Sequence, residues 1–198
     1  SIRAHYSHSD KMNITSITSF TETNLIHAYD GDWADSIYWH DNHGFDPAVE
    51  GWAYDFYDKT KRNRTNLSQE IRLSIGSIIL GGYFKHLKEQ DEAIGYLFGG
   101  IATNAWSDYD FKVMAGYSQY EHDLSPTIKL KANVRFEQNI MDYKGTSEGL
   151  NENWEKVVLP PVKFNVEHSM LGYRGSIHYL KDEFTSFYGS VSQGYKSG

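Results

Sequence analysis

Apolar and polar side chains alternate without interruption through residues 127–137, TIKLKANVRFE. The apolar members are Ile128, Leu130, Ala132, Val134 and Phe136. The polar members are Lys129, Lys131, Asn133, Arg135 and Glu137. A period of two predicts a β-strand with one apolar and one polar face, whereas a helix would scatter the same charges around its axis. The apolar face therefore packs on a protein core or faces lipid.

The same rhythm recurs along the chain and predicts about eight antiparallel strands. The predicted strands are residues 1–8, 13–29, 62–76, 78–88, 110–120, 127–137 (extendable to 143), 163–180 and 184–196. Short turns and long segments alternate between them, and the three long segments are residues 30–61, 89–108 and 145–162. Outer-membrane barrels have this arrangement, with short periplasmic turns at one end and long external loops at the other.

The strand lengths and charges also favour a membrane barrel. The predicted strands exceed the five to six residues that are common in soluble sheets, whereas a tilted membrane strand needs about 9–11 residues. A basic side chain that faces lipid at mid-bilayer costs about 2–4 kcal/mol, so Lys129 and Arg135 are expected to face the lumen. The fold class predicted is all-β, an antiparallel transmembrane β-barrel. A soluble β-sandwich or lectin-like fold is the alternative.

Composition narrows the function classes. The net charge of -7 argues against a nucleic-acid partner, and the absence of cysteine removes thiol chemistry and disulfides. A mean hydropathy of -0.59 argues against a helical membrane protein. No GxSxG, HExxH or P-loop pattern occurs in the sequence, so no enzyme and no cofactor are expected. The aromatic fraction of 15% suits strands and membrane interfaces.

Five segments resemble strands of the TonB-dependent outer-membrane receptors. SFYGSVSQGYKSG (186–198) resembles the family's YASVSxGYKSGGFN-type run, and NITSITSF (13–20) resembles its SITSF-type strand. NLSQEIRLS (66–74) resembles LSQELRL, and ILGGYF (79–84) resembles the strand that follows it. Residues 118–138 resemble the family's xYxLTDxLxLTAGLRYE run. The segments occur in the family's order across nearly the whole chain.

The resemblance implies a section of about eight strands from a 22-stranded barrel, with residues 1–198 as part of the barrel domain. The plug domain, the remaining strands and the TonB-contacting region are expected outside this sequence. The implied location is the outer membrane of a Gram-negative bacterium, and the implied partners are lipid, plug, TonB complex and a small-molecule ligand. The implied function is uptake of a scarce nutrient, with ferric siderophores expected first and haem, cobalamin or oligosaccharides as alternatives.

Two sets of side chains are candidate functional residues. The candidate ligand-binding residues of the external loops are Trp33, Tyr38, Trp39, His40, Trp52, Trp106 and Trp154. Aromatic side chains with a few polar groups are typical of ligand mouths, although rings near strand ends, such as Tyr54 and Tyr57, also suit the membrane-interface belt. The residues expected to face the lumen and plug are Glu70, Arg72, Lys129, Lys131, Arg135 and Arg174. Hydrogen bonding to plug or water is their expected role, and a basic path for an anionic ligand is the alternative.

Other interpretations stay open at this stage. His40, Asp41 and His43 are of metal-ligand type but lack a fourth ligand, and Asp30, Asp32 and Asp35 depart from the spacing of a calcium loop, so no metal is expected. A soluble carbohydrate-binding module and a complete eight-stranded barrel of structural or adhesion type are the alternatives of a different class.

Overall fold

Long β-strands dominate the computed structural model, which describes residues 1–9, 11–31, 33–51, 56–98 and 100–194. Nine strands and two short helices occupy these residues. The strands are β1 (Ile2–Ser9), β2 (Met12–Asp30), β3 (Phe56–Ile75), β4 (Ile78–Leu97), β5 (Gly100–Ser125), β6 (Ile128–Leu150), β7 (Lys156–Val158), β8 (Val162–Leu180) and β9 (Ser186–Gln193). The helices are α1 (Ser36–His43) and α2 (Pro47–Glu50), both between β2 and β3. Neither is long or apolar enough to cross a membrane.

All nine strands belong to one antiparallel sheet. Its order is β1-β2-β3-β4-β5-β6-β8-β9, and β7 pairs with the end of β6. Each long strand therefore lies beside the strand that follows it, as in an up-and-down barrel. Within the described residues β1 and β9 are not paired with each other, so the alternative of a complete eight-stranded barrel is wrong for this part of the chain. The prediction of about eight antiparallel strands in this order is confirmed, and the three-residue β7 is an additional strand.

The sheet is a single layer without a hydrophobic core. Phe45 and Val113 are the only buried apolar side chains among the described residues, with 7% and 6% of their surface exposed. A soluble sandwich would need a second sheet over its apolar face. The sandwich alternative is therefore wrong for the described residues, and lipid is the cover that a membrane strand requires.

One face of the sheet carries a continuous apolar band, which is covered by no other element of the described chain. The register places its members side by side on successive strands. The apolar band comprises Met12, Ile14, Leu67, Ile71, Leu73, Ile75, Ile78, Leu80, Phe84, Met114, Tyr120, Ile128, Leu130, Val134, Phe136, Leu171, Tyr173, Ile177 and Tyr179. It covers about seven to nine residues of β3, β4, β5, β6 and β8, close to the length that a tilted strand needs to cross a bilayer. The opposite surface is the polar face.

Four short turns lie at one end of the sheet, as predicted. They lie between β1 and β2 and at residues 76–77, 126–127 and 181–185. Gly76 has a φ of 54°, which a side chain would disfavour, and its N–H donates to the carbonyl of Lys11 in the neighbouring turn at 2.8 Å. This end corresponds to the periplasmic end of an outer-membrane barrel.

The other end of the sheet differs from the sequence prediction. β4 continues to Leu97 and β5 begins at Gly100, so the long loop predicted for residues 89–108 is wrong. The third long segment is also partly strand, because β6 continues to Leu150 and β7 follows. Beyond the apolar band the face that carries the band becomes polar, with residues such as Lys88, Gln90, Asp108 and Asp110, so the pattern that marks a membrane strand is missing there. The sheet therefore extends well past the membrane-spanning band.

Candidate functional site: the polar face and the loop end

The six residues expected to face the lumen all lie on the polar face of the sheet. Strand alternation and register place them opposite the apolar band. One row across the sheet contains Arg72, Gly81, Tyr117, Arg135 and Gly172, and the next row contains Glu70, Tyr83, Ala115, Glu137 and Met170. In an outer-membrane barrel the polar face lines the lumen.

Tyr117 connects three strands of the polar face. Its ring lies across the backbone of Gly81, where a Cβ atom would come within 2.0 Å of the ring. Its hydroxyl donates to Glu70 Oε1 at 2.5 Å and accepts from Arg72 Nε at 3.0 Å. Arg72 Nε also donates to Glu70 Oε1 at 2.8 Å. A glycine in β4 thus lets a β5 side chain reach an ion pair on β3.

Arg135 extends this network to β6. Its guanidinium donates to Glu137 Oε2 through Nη2 at 2.6 Å and through Nε at 3.0 Å. The guanidinium carbon also lies 5.6 Å from the ring centre of Tyr83 and 6.0 Å from that of Tyr117, which is cation–π distance. Packing of this kind holds the charge of Arg135 against the sheet.

The cations of the polar face are largely balanced by carboxylates. Lys129 lies 3.5 Å from Asp123, and Lys131 lies 2.9 Å from Glu121. Arg174 donates to the hydroxyl of Tyr188. Because Arg72 and Arg135 have carboxylate partners as well, the arrangement favours hydrogen bonding by this face over a basic path for an anionic ligand.

A second group on the polar face was not predicted. Beyond the level of the apolar band, Tyr109 and Tyr143 are cross-strand partners, and Tyr143 in turn pairs with Phe164. The rings of Tyr143 and Phe164 are stacked with centroids 4.9 Å apart. We call Tyr109, Phe111, Tyr143 and Phe164 the aromatic row. Tyr109 and Phe111 alternate with Asp108 and Asp110 in the sequence. If the strand predicted for residues 110–120 is extended back to residue 108, strand alternation places both rings on this face.

Two ion pairs lie beside the aromatic row on the same face. Arg62 forms a bidentate pair with Asp91, with both N–O distances 2.7 Å. Arg64 pairs with Glu89, which is the cross-strand partner of Tyr109. Paired guanidinium groups beside partly exposed aromatic rings form a surface that can stack on a planar ligand and hydrogen-bond its edge.

The segment between β2 and β3 contains five of the predicted ligand-binding residues, four of which the structure describes. Asp35 caps α1 by accepting from the Tyr38 N–H at 2.8 Å, and the Trp39 ring lies 4.8 Å from that of His43 and 5.4 Å from that of Tyr38. His40 donates a hydrogen bond from Nδ1–H to Asp41 Oδ1 at 2.9 Å, and this bond raises the pKa of His40 above its usual value.

Trp33 lies outside this helical group. It has a positive φ of 59°, 81% of its surface is exposed, and its indole N–H donates to the Tyr29 hydroxyl at 3.0 Å. Tyr38 and Trp39 therefore lie together, whereas Trp33 packs on the end of β2.

The other predicted aromatic residues that the structure describes lie at separate places. Trp106 lies within β5 on the face of the apolar band, so its predicted loop position is wrong. Trp154 lies in the turn after β6, with its ring centre 5.5 Å from that of Phe98. Tyr57 stacks on Tyr96 at 4.4 Å, well beyond the end of the apolar band on β3. Trp52 and Tyr54 lie outside the described residues.

The metal hypotheses find no support in the described part of the chain, which contains no group of three or more ligand side chains arranged for a metal ion. Asp35 serves as the N-cap of α1. Asp32 lies outside the described residues.

Comparison with known proteins adds information on the fold. No protein-family model matches the sequence, and no curated protein matches it. The solved structures include the ferric yersiniabactin uptake receptor FyuA from Yersinia pestis, to which 98% of this chain aligns with a TM-score of 0.77. The fold is that of a section of an antiparallel β-barrel. The sequence identity is 13%, and the chain spans 27% of the receptor's length, so the likeness concerns the fold alone.

The likeness to the FyuA barrel agrees with the two faces described above. A barrel section presents its apolar band to lipid and its polar face to the lumen. The long strands β3 to β6 then form a wall that continues past the membrane, with α1 and α2 at its far end.

Proposed function

We propose that the chain is part of the barrel of a TonB-dependent receptor in the outer membrane of a Gram-negative bacterium, and that this receptor takes up a ferric siderophore. The main support is the fold likeness to the ferric yersiniabactin uptake receptor FyuA over 98% of the chain. The apolar band opposite a charge-balanced polar face supports the membrane location. The receptor's plug domain and remaining strands complete the barrel in this proposal, and no catalytic role is proposed.

Ligand capture is assigned to the loop end. Tyr38, Trp39 and His40 in α1 provide rings and a polar edge, and the aromatic row lies on the lumen side of the wall below them. Aromatic side chains with few polar groups bind planar catecholate or heterocyclic ligands well. Trp33 and Trp52 belong to the same segment and are included in the proposed mouth.

The polar network nearer the turns is assigned to the plug. Glu70, Arg72 and Arg135 are already joined to Tyr117 and Glu137, so their remaining donors and acceptors are held in fixed positions. In this proposal TonB acts on the plug during transport, so the contacts between plug and barrel break and form again. Donors that are already fixed in position lose little conformational entropy each time these contacts form. Lys129, Lys131 and Arg174 extend the same surface toward the short turns.

The test is uptake of iron in a strain that lacks the full-length receptor. We expect loss of uptake of ⁵⁵Fe supplied on siderophores purified from the host's own spent medium, with restoration by the receptor gene on a plasmid. Restored uptake should disappear when TonB is deleted or the proton gradient is collapsed. Uptake of labelled haem, cobalamin or maltodextrin instead would keep the fold assignment and change the substrate. Uptake independent of TonB would overturn the proposal.

A matched pair of tryptophan substitutions locates the ligand. Trp39→Ala, in α1, should weaken binding of the ferric siderophore to purified receptor by about tenfold, as expected for an aromatic contact residue. Trp106→Ala changes a residue on the face of the apolar band, away from the lumen, and should leave the affinity within about twofold. Titration by quenching of intrinsic fluorescence measures both. Equal losses in the two variants would contradict the assignment of the mouth.

A further inference from the structure

A pocket of about 360 Å³ lies beside the aromatic row, toward the loop end of the sheet, and most of its lining residues belong to the polar face. Its floor consists of two rows of side chains that cross β4, β5 and β6. One row contains Asp91, Ser107 and Gly145, and the next contains Ala93, Ala105 and Ser147. Three strands span about 10 Å and the two rows lie about 7 Å apart, so the floor has room for one ring.

The pocket has walls on two sides of this floor. Tyr143 closes it on the side of the aromatic row. Its hydroxyl lies over Gly145, where a Cβ atom would come within 2.6 Å of the hydroxyl oxygen. Leu159 and Pro160 form the opposite wall, and the Leu159 N–H donates to the Ser147 carbonyl at 2.9 Å. A glycine on the floor therefore lets the Tyr143 hydroxyl reach into the pocket.

Three hydroxyl groups in the pocket lack a partner. Within the described part of the chain, the hydroxyls of Ser107, Tyr143 and Ser147 form no hydrogen bond. A hydroxyl can donate one hydrogen bond and accept others. A ligand that fills the pocket without hydrogen-bonding these groups would leave them unpaired, which costs free energy. The three hydroxyls therefore favour a ligand with several polar groups that both donate and accept.

The pocket carries no uncompensated charge. Asp91 is the one charged side chain among the described residues that line it. Both carboxylate oxygens of Asp91 accept from Arg62, each at 2.7 Å. A carboxylate has about four acceptor positions, so each oxygen can still accept a further hydrogen bond. An anionic ligand would meet no unpaired cation here, and the pocket therefore favours an uncharged ligand.

We infer that this pocket binds one uncharged sugar ring of a glycan. Sugar hydroxyls donate and accept, as the three protein hydroxyls do, and two neighbouring sugar hydroxyls can donate to Asp91. The C–H face of the ring packs on Ala93 and Ala105. A few convergent polar groups in an otherwise apolar cavity are typical of small-molecule sites. The inference rests on the proposed function where that places the polar face in the lumen, and it does not require a siderophore as cargo.

The experiment applies the full-length receptor, purified in a mild detergent, to an array of neutral oligosaccharides and their uronic-acid counterparts. We expect neutral glycans to bind and the uronic acids to bind at least about tenfold more weakly, because their carboxylate finds no free cation. Isothermal titration then measures affinity for the neutral glycan that binds most strongly on the array.

A matched pair of tyrosine substitutions tests the hydroxyl contact. Tyr143→Phe removes only the hydroxyl and should weaken binding of that glycan by about tenfold, because a sugar hydroxyl loses its partner. Tyr96→Phe makes the same change on the face of the apolar band and should alter the affinity by less than about twofold.

A glycine substitution tests the position of the same hydroxyl. Gly145→Ala should displace the Tyr143 hydroxyl and weaken binding about as much as Tyr143→Phe does. The double variant should be weaker than either single variant by less than about twofold, because both changes remove the same contact. Gly149→Ala, on the same strand and face, places its Cβ atom 3.8 Å from a Thr103 methyl group and should keep the affinity. Heat-modifiable mobility on gels verifies that each variant is folded.

Two sources of the sugar are distinguished by uptake and competition. If the glycan is cargo, cells should accumulate the radiolabelled glycan only when TonB is present. If the sugar is part of a siderophore, siderophore purified from spent medium should displace the glycan, and glycosidase treatment should prevent this.

Three results would overturn the inference. They are the absence of neutral-glycan binding, stronger binding of the uronic acids, and equal losses in Tyr143→Phe and Tyr96→Phe. If TonB-dependent iron uptake persists alongside any of these results, the proposed function stands and only the sugar pocket is rejected.

Discussion

The ring of Tyr117 lies across β4 because Gly81 has no side chain, and its hydroxyl there completes the Glu70–Arg72 pair. Glu70 and Arg72 were predictable as polar-face residues because strand alternation alone assigns them. Their link to Tyr117 was not predictable, since it depends on a register between three strands and on a glycine that alternation treats as neutral.

A pair of neighbouring glycines tests this contact. Gly81→Ala should lower the free energy of unfolding by about 1–3 kcal/mol, because the new Cβ atom displaces the Tyr117 ring. Gly82→Ala, on the opposite face, meets no heavy atom within 4 Å and should change it by less than about 0.5 kcal/mol. Urea unfolding of the purified receptor in detergent measures both. Similar effects at the two positions would show that the ring contact contributes little.

At the scale of elements, the strands divide into a membrane-spanning part and an extension. The membrane part was predictable from strict alternation, as in β6 from Ile128 to Phe136. The extension was missed because residues 88–92, KEQDE, are polar at every position and look like a loop. These residues form strand through cross-strand ion pairs such as Arg62–Asp91 and Lys61–Glu92, which appear only when the partner strand is known.

If the apolar band faces lipid, a lysine should destabilise the protein much more on the band than on the polar face of the sheet. Val134→Lys should lower the free energy of unfolding by about 2–4 kcal/mol, since a charged side chain would face hydrocarbon. Gln119→Lys, on the polar face of the adjacent strand, should change it by less than about 0.5 kcal/mol. Denaturant unfolding in lipid vesicles provides the comparison. A tolerant Val134→Lys variant would contradict the lipid-facing assignment.

The short strand β7 should respond to acid. Lys156 lies 2.8 Å from Glu148 and lowers the pKa of that carboxyl below its ordinary value. Because the folded pKa is the lower one, the stabilisation is present above the unfolded pKa and is lost as the pH falls through the folded value. We expect hydrogen exchange of the β7 amides, corrected for intrinsic rates, to increase in acid. Glu148→Gln should remove this pH dependence while leaving exchange in the membrane part of β6 unchanged.

At the scale of the whole molecule, the sheet has two different ends. Four short turns lie at one end, and the helices α1 and α2 lie at the other. The overall fold was predictable because turn lengths and strand periodicity both report on the same architecture. The ligand mouth was less predictable. Trp39 and Trp106 both lie in sequence segments that look like long loops, and only the structure shows that Trp39 is in α1 whereas Trp106 is in β5.

The absence of cysteine from the 198 residues allows the sidedness to be measured directly. Val49→Cys, at a position in α2 that is 79% exposed, should react with a membrane-impermeant maleimide in intact cells. Ser77→Cys, in a short turn, should react only after the outer membrane is permeabilised. Labelling of Ser77→Cys in intact cells would reverse the orientation of the barrel section.

The paired strands beyond the apolar band have a consequence for affinity. Fixing the backbone of one residue costs about 1–2 kcal/mol of conformational entropy at room temperature. In β4 and β5 this ordering is achieved on folding, because their ladder continues to Leu97 and Gly100. A ligand that reaches the aromatic row would therefore meet a preorganised surface, and the binding free energy would go into ligand contacts rather than into ordering a loop.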